Sequence, residues 1–285
     1  MSEKLSACVL GGALLLAFPA AADPFFFSTG DPDGKIATLS RIASTGKLET
    51  ETADDFVTTQ ATTINSATFT GLLVGGATPA DVKDVEIELY HVFPIDSTNP
   101  PDGRVITRTN SPSDNEFAAS DAKLGQLSFT TTVLSQNFTA ANSVVNGIHS
   151  SPNQFTGGEG AVTGEEVQFN LTFTVPLTVG ADHIFFRPEV DLGSAGDFLW
   201  LSAPKPIVAP GTPFAADLQS WIRNDGPGAL APDWERIGTD VTHQGPFNAA
   251  FSLSGETVPE PSSLLLLGTG LAGLVGWRRK RPMGT

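Results

Sequence analysis

The chain has 285 residues, of which 31 are acidic and 16 are basic, so its net charge is −15 at pH 7. A strongly acidic protein repels phosphates, which argues against nucleic acid and anionic membrane surfaces as partners. The only cysteine is Cys8, in a segment that we expect to be removed on export. The mature chain then forms no disulfide and depends on its core, or on metal ions, for stability.

The first 22 residues are predicted to be a secretory signal peptide. Lys4 supplies a weakly positive start, and Leu5–Phe18 is apolar. Ala20 and Ala22 are small residues at the −3 and −1 positions of a cleavage site. We therefore expect signal peptidase to cut after Ala22 and the following chain to be exported.

The region after the signal has an all-β composition. We expect residues 23–53 to be a polar lead-in that lies over the sheets, and residues 54–257 to form a β-sandwich domain. The clearest strand is Glu166–Val179, where apolar and polar residues alternate, which predicts one face in the core and one toward water. Pro176 cannot donate to a strand ladder, so that end is predicted to be an edge or a bulge.

Shorter alternating or apolar runs predict further strands, for a total of about eight to ten. These runs are residues 55–59, 64–73, 85–93, 127–133, 183–190, 197–201 and 247–253. Turn-forming clusters separate them, one of which is residues 110–114. Residues 79–83 are expected to make one helical turn. Residues 136–164 are too long for a hairpin and are either an excursion across the sandwich or a mobile loop. This pattern favours a jelly-roll-like antiparallel sandwich of two packed sheets.

Two pairs of aspartates are candidate ligands for a structural Ca²⁺ ion. Asp31 and Asp33 precede a glycine, as at the opening of a calcium loop, although a Pro-Asp-Gly turn needs no metal. Asp54 and Asp55 are adjacent at a strand start, where two carboxylates repel each other unless they are solvated or bind an ion. Both the cation site and the plain turn remain open at this point.

Trp221 and Trp234 are candidate sugar-stacking residues. Both lie in a polar region rich in proline and glycine, and an exposed aromatic ring can stack on the apolar face of a pyranose. The alternative is that they cap one end of the sandwich.

No catalytic constellation is visible in the chain. The four histidines, His91, His149, His183 and His243, lack metal-ligand spacing. There is no Gly-x-Ser-x-Gly motif, and the many carboxylates do not single out a glycosidase pair. We therefore predict that the protein is not an enzyme and that its only cofactor, if it has one, is calcium.

The segment 258–281 consists of three consecutive pieces. Residues 258–261 read Val-Pro-Glu-Pro, residues 262–277 carry no charge, and residues 278–281 are all basic. As a transmembrane helix the uncharged piece spans roughly 24 Å, which is short for a hydrocarbon core of about 30 Å. A basic cluster marks the cytoplasmic side of such a span, so the body of the protein lies outside.

These three pieces resemble the PEP-CTERM sorting signal of Gram-negative bacteria. The resemblance implies that an exosortase, a membrane protease, recognises Pro259, Glu260 and Pro261 and removes the helix, so that membrane insertion is transient. The membrane stop consists of Arg278, Arg279, Lys280 and Arg281. The body loosely resembles the uncharacterised sandwiches that precede such tails, which implies no particular activity.

Together these features predict an exported, exosortase-processed protein of the cell surface or extracellular matrix. We expect a structural or adhesive role without catalysis, with exopolysaccharide as a candidate partner. The first alternative is a carbohydrate-binding module with structural calcium. The second alternative is a glycan hydrolase that uses two carboxylates.

Overall fold

The computed structural model describes residues 22–97, 108–146, 148, 155–204, 219–225, 234–258 and 270. This part of the chain is mostly β-strand and forms two sheets, which confirms the predicted all-β sandwich. The predicted terminal helices, in residues 1–22 and 262–277, lie outside the described residues apart from Ala22 and Gly270. Within the described ranges, no helix is both long enough and apolar enough to cross a membrane.

The described residues contain fifteen strands, one 3₁₀ turn and one π-helical turn. In chain order the strands are β1 (Pro24–Ser28), β2 (Ile36–Leu39), β3 (Glu49–Thr58), β4 (Thr62–Val74), β5 (Asp84–Val92), β6 (Pro112–Asp121), β7 (Leu127–Ala140), β8 (Asn142–Val144), β9 (Val162–Val179), β10 (Asp182–Asp191), β11 (Asp197–Ala203), β12 (Trp221–Asp225), β13 (Glu235–Arg236), β14 (Asn248–Ala249) and β15 (Phe251–Thr257). The 3₁₀ turn is Pro79–Asp81, inside the helical turn predicted at residues 79–83, and the π-helical turn is Ile237–Val241.

The nine-stranded sheet, here called the large sheet, is organised around β4. One side of β4 pairs with β9, which in turn pairs with β7. The other side is shared between β15, followed by β1, and β11, followed by β2 and β8. β14 pairs with β11. The six-stranded sheet, here called the small sheet, has the order β13-β12-β3-β10-β5-β6. Every described strand pair is antiparallel except β2 with β8.

The main core lies between the two sheets. It is built from the residues that point inward, which are every second residue along each strand. Phe69 and Phe169 are paired neighbours on β4 and β9, and their rings stack with centroids 4.7 Å apart. Phe198 meets both rings edge-on. Each fully buried side chain of this kind stabilises the fold by about 1.5–3 kcal/mol relative to exposure. The alternation predicted for Glu166–Val179 therefore serves to supply one wall of this core.

Gly71 allows β4 and β11 to pack closely. A Cβ atom at this position would overlap the ring of Phe198 and would lie 2.5 Å from the carbonyl oxygen of Leu199. No side chain fits without a movement of the paired strand. The glycine in the middle of β4 is thus required by packing rather than by an unusual backbone angle.

The predicted polar lead-in at residues 23–53 is wrong. β1, β2 and the first half of β3 lie in this segment and are integral strands of the two sheets. The aromatic run Phe25–Phe27 is paired along β15, with Phe27 fully buried in the core. The polar residues of β3 can be buried because groups on other strands bond to them, as described below.

Other boundaries also differ from the prediction. The cluster at residues 110–114 is not only a turn, because β6 begins at Pro112. The long segment 136–164 continues β7 as far as Ala140 and includes β8. Pro176 does lie at an irregularity, since the register of β9 against β4 shifts between Thr172 and Leu177.

Candidate functional site

The two candidate sugar-stacking tryptophans are fully buried, so this prediction is wrong. Trp221 and Trp234 each have 0% exposure. Trp234 donates a hydrogen bond from Nε1 to the carbonyl of Ser113 at 3.1 Å, and the guanidinium of Arg223 lies 4.5 Å from its ring centroid. Tyr90 meets Trp234 edge-on. Both tryptophans cover the outer face of the small sheet, which is closer to the capping alternative.

Asp31 and Asp33 have separate environments. The carboxylate of Asp33 accepts hydrogen bonds from the Ser202 hydroxyl at 2.5 Å and the Lys35 amide at 3.1 Å. Burial alone would raise the pKa of Asp33, but these bonds hold it below its usual value. Asp31 is exposed and lines a surface pocket on the large sheet. Asp33 therefore has protein donors in the place of the predicted cation.

Asp54 and Asp55 point to opposite faces of β3, so they do not form a joint cation site. Asp54 faces the interior, where its Oδ2 accepts a hydrogen bond from the amide of Ala249 at 2.7 Å. Asp55 faces the other way, and its Oδ2 lies 2.8 Å from Nε2 of His183. Alternation along a strand separates adjacent side chains in this way. Within the described ranges, no group of three or more acidic, histidine or cysteine residues is placed to hold a metal ion.

The outer face of the large sheet carries an ordered array of uncharged polar side chains, here called the uncharged face. Pairing aligns these residues in ranks across β7, β9, β4, β15 and β1. One rank is Ser128, Thr172, Ser66, Ser254 and Phe26, and the next is Thr130, Asn170, Thr68, Ser252 and Ser28. A third, shorter rank is Thr132, Gln168 and Thr70.

The geometry of the uncharged face follows from the sheet. Neighbouring strands lie about 4.8 Å apart, and residues on one face recur about every 6.7 Å along a strand. Thr68 and Ser252 are joined through their hydroxyls at 2.7 Å, and Asn170 donates to Thr132 at 3.3 Å. Twelve of the thirteen ranked residues carry a hydroxyl or a carboxamide, and none is charged, in a protein whose net charge is −15.

A surface pocket of about 260 Å³ opens within the uncharged face. Its polar lining includes the hydroxyls of Ser28 and Thr68 and the carboxamide of Gln168. Phe26 forms an apolar wall, and 56% of its surface is exposed. Asp31 contributes a carboxylate at the rim. The pocket therefore combines one aromatic ring with several hydrogen-bonding groups.

Glu166 gives this region a second acidic group. It lies on β9 two residues before Gln168, on the same face of the sheet, and is mostly buried. Burial raises its pKa, and the nearby charge of Asp31 raises it further. A buried carboxyl of this kind can hold its proton at a pH where an exposed carboxyl has lost it.

The outer face of the small sheet holds a buried network of charges, here called the charge network. Arg187 on β10 contacts Glu189 at 2.6 Å, Glu88 on β5 at 2.5 Å and Glu49 on β3 at 3.3 Å. Glu51 lies 3.7 Å from the same guanidinium. One buried arginine thus links the three central strands of this sheet.

Arg223 on β12 extends the charge network to a fourth strand. Its guanidinium makes two contacts with the carboxylate of Glu51, of which the Nη2–Oε1 bond measures 3.1 Å. It also lies 5.5 Å from the ring centroid of Tyr90. Burial opposes ionisation of Glu51, but the charges of Arg187 and Arg223 lower its pKa below the usual value.

Two carboxyl groups on the outer face of the small sheet, Glu189 in the charge network and Glu86 beside it, have raised pKa values. Burial is the main cause for Glu189, whose pKa lies well above its usual value. Burial, followed by the charge of Glu88, raises the pKa of Glu86 to about 7. Since Arg187, Glu51 and Glu189 are at most 2% exposed, we interpret the network as a structural element rather than a ligand site.

Residues 257–280 match the family described as a PEP-CTERM protein-sorting motif. The chain carries a PEP-CTERM protein-sorting motif. The motif implies processing by an exosortase, and export with sorting to the cell surface or extracellular space. Comparisons with curated proteins and with solved structures found no match to the chain. The PEP-CTERM motif accounts for the destination of the sandwich, while the match does not extend to its body.

Several predicted processing residues lie outside the described residues. These are Ala20, the recognition residues Pro259, Glu260 and Pro261, and the basic residues Arg278, Arg279, Lys280 and Arg281. Ala22, at the predicted signal cleavage point, is exposed. The uncharged face was missed by sequence reasoning, although the polar positions of β9 and β15 alternate visibly in the chain.

Proposed function

We propose that the sandwich is the adhesive part of a surface or matrix protein and binds neutral polysaccharide through the uncharged face. The observation that supports this proposal is the alignment of two full ranks of side chains across five strands around the Phe26 pocket. In this role the protein acts by binding and performs no catalysis.

The chemistry of the face suits a neutral glycan. Hydroxyl and carboxamide groups donate and accept hydrogen bonds, which matches the hydroxyls of a sugar chain. The exposed ring of Phe26 offers an apolar surface beside them. An anionic polymer would meet no cation in the ranks and would be repelled by the net charge of −15.

Binding can be tested by retention of the secreted protein on immobilised dextran and β-glucan, with anionic alginate as the comparison. Phe26→Ala removes the aromatic wall, and Asn170→Asp places one negative charge in the second rank. We expect each change to weaken retention on the neutral polymer at least tenfold. Alginate should retain none of the proteins.

Two control variants match these changes outside the face. Phe155→Ala removes another exposed phenylalanine, and Asn137→Asp adds the same charge to β7 outside the ranks. Both should bind as the parent does. The proposal fails if neither neutral polymer retains the parent protein, or if the face variants bind as well as their controls.

A carboxylate-based glycan hydrolase is the second candidate, supported by the raised pKa of Glu166 beside Asp31. Such a pair supplies a proton donor and an ionised carboxylate. Release of reducing ends from dextran or β-glucan by the parent protein, abolished by Glu166→Gln, would favour this activity. Binding without any such release favours the adhesive role.

A further inference from the structure

Among the described strands, β7 has a long edge that pairs with no other strand and carries no charge. It comprises 14 residues, Leu127–Ala140, without a charged residue or a proline. One side pairs with β9, and no other strand within the described ranges pairs with it. Four of its residues are threonine, which favours extended pairing.

The other edge strands of the two sheets are protected by the usual means. β1 has five residues and begins with Pro24, while β8 and β13 have only three and two residues. β6 is long but carries Asp114, Glu116 and Asp121. Short length, proline and charge all discourage pairing between molecules. β7 lacks each of these features.

Exposed apolar side chains are concentrated near this edge. Val133 and Leu134 on β7 are 43% and 50% exposed. Val175, beside the start of β7, and Leu124, in the turn before it, are also exposed. The regular part of the edge is Leu127–Val133, since the register against β9 shifts beyond Val133. An exposed apolar surface of this kind is typical of a protein–protein contact.

We propose that β7 pairs antiparallel with β7 of a second copy of this chain, about a two-fold axis near Thr130. The two large sheets then form one continuous sheet, with Thr130 opposite its equivalent and Val133 of each copy opposite Leu127 of the other. Such an interface is self-complementary, as a two-fold symmetric dimer requires. This inference does not depend on glycan binding.

The charge of the protein favours this edge over other surfaces. With a net charge of −15, two copies repel each other wherever carboxylates meet. The segment Leu127–Val133 brings no carboxylate to the contact, and its unpaired backbone groups supply hydrogen bonds. A second copy is therefore a better occupant than an acidic or basic partner, for which the edge has no complementary charge.

Sedimentation of the protein purified from its secreting host gives the first test. We expect a concentration-dependent dimer for the parent. Thr130→Lys places two like charges opposite each other at the axis and should weaken dimerisation at least tenfold. Thr172→Lys is the matched control, since it adds the same charge to β9, an interior strand of the same sheet, and should leave the dimer unchanged.

A single introduced cysteine gives a second test that does not depend on the stability of the lysine variant. In a Cys8→Ala background, Thr130→Cys should form an intermolecular disulfide under mild oxidation, whereas Thr172→Cys should not. A monomeric parent at about 100 μM would overturn the proposal. A dimer that survives Thr130→Lys, or a dimeric Thr130→Cys variant that forms no disulfide under oxidation, would also overturn it, because the contact then lies elsewhere.

Discussion

Arg187 and Glu189, two residues apart on β10, form a contact of 2.6 Å in which both side chains are about 1% exposed. Their side chains share the outer face of the small sheet, and the guanidinium also reaches Glu88 on the neighbouring strand. Burial of two charges costs more desolvation free energy than their attraction restores, unless each charge has further well-placed partners. The value of Arg187 therefore lies in the carboxylates that it neutralises.

Replacement of Arg187 by alanine should lower the free energy of unfolding by about 3–5 kcal/mol, because it leaves buried carboxylates without a cation. Urea denaturation of parent and variant measures this difference. Lys35→Ala is the control. It breaks the exposed ion pair with Asp33 and should cost at most about 1 kcal/mol. Equal losses for the two variants would contradict a structural role of the charge network.

The raised pKa of Glu86 predicts a pH-dependent gain from Glu86→Gln. The folded protein holds a proton on Glu86 up to about pH 7, whereas the unfolded chain releases it near pH 4.5. Stability from this group is therefore full below pH 4.5 and is lost as the pH rises through 7. The side-chain amide of the Glu86→Gln variant cannot ionise, so the variant does not lose this stability at high pH.

Urea denaturation at pH 4.5 and pH 8 checks this difference. The variant should match the parent at the lower pH and be about 1 kcal/mol more stable at the higher pH, a modest value because Glu86 is only half-buried. Thr131→Ser, which changes no charge, should show no pH dependence relative to the parent. A gain that is the same at both pH values would exclude ionisation of Glu86 as its cause.

Gly71→Ala should destabilise the protein by about 2 kcal/mol or more, because the added methyl group overlaps Phe198 and the Leu199 carbonyl. Gly180→Ala adds the same group where no atom lies within 4 Å and should change stability by less than about 1 kcal/mol. Thermal unfolding followed by circular dichroism compares the two. If both variants melt at the same temperature, β4 and β11 are not in tight contact.

Trp234→Ala should lower stability without affecting glycan retention, whereas Phe26→Ala should lower glycan retention with little effect on stability. Trp234 is buried against Arg223, so its loss should cost about 3–5 kcal/mol of stability and leave glycan retention per folded molecule unchanged. Phe26 is exposed, so its loss should reduce retention with a stability change below about 1 kcal/mol. Loss of retention in a folded Trp234→Ala protein would instead indicate that the tryptophans take part in glycan binding.

The sorting motif predicts the mass of the mature protein. Protein recovered from the cell surface should lack the segment 262–281, because the motif implies processing by an exosortase, which we expect to remove the predicted transmembrane helix and its basic stop. Intact-mass spectrometry measures this directly. Recovery of chains that still contain Arg278–Arg281 from the surface would contradict removal of the tail.

Much of the fold was predictable because its signal lies within single strands. The alternation over Glu166–Val179 places one face in the core without knowledge of any partner. β3 gave no such signal, since Glu51 and Asp55 are buried only because Arg223 and His183 approach from other strands. Pairing partners that are far apart in the chain cannot be read from local sequence.

The candidate site was less predictable for a related reason. Trp221 and Trp234 lie in polar surroundings along the chain, yet both are fully buried against the outer face of the small sheet, and Arg223 lies over the ring of Trp234. Conversely, Asn170 and Ser252 become neighbours of one rank only through the register of β9, β4 and β15. Local composition indicated polarity at these positions but not their alignment.

The first strand of the sandwich pairs with the last one. β1 lies along β15, with Pro24 opposite Glu256, and the amide of Val258 donates to the carbonyl of Ala61 at 2.7 Å. More than two hundred residues separate β1 from its pairing partner β15 along the chain. Long-range pairing of this kind slows folding. Pairing of β1 with β15 therefore requires nearly the whole described sandwich segment. In the sequence, only Val258 separates the end of β15 from the motif at residues 259–261 that we expect the exosortase to recognise, so the last strand of the sandwich and the sorting signal directly adjoin.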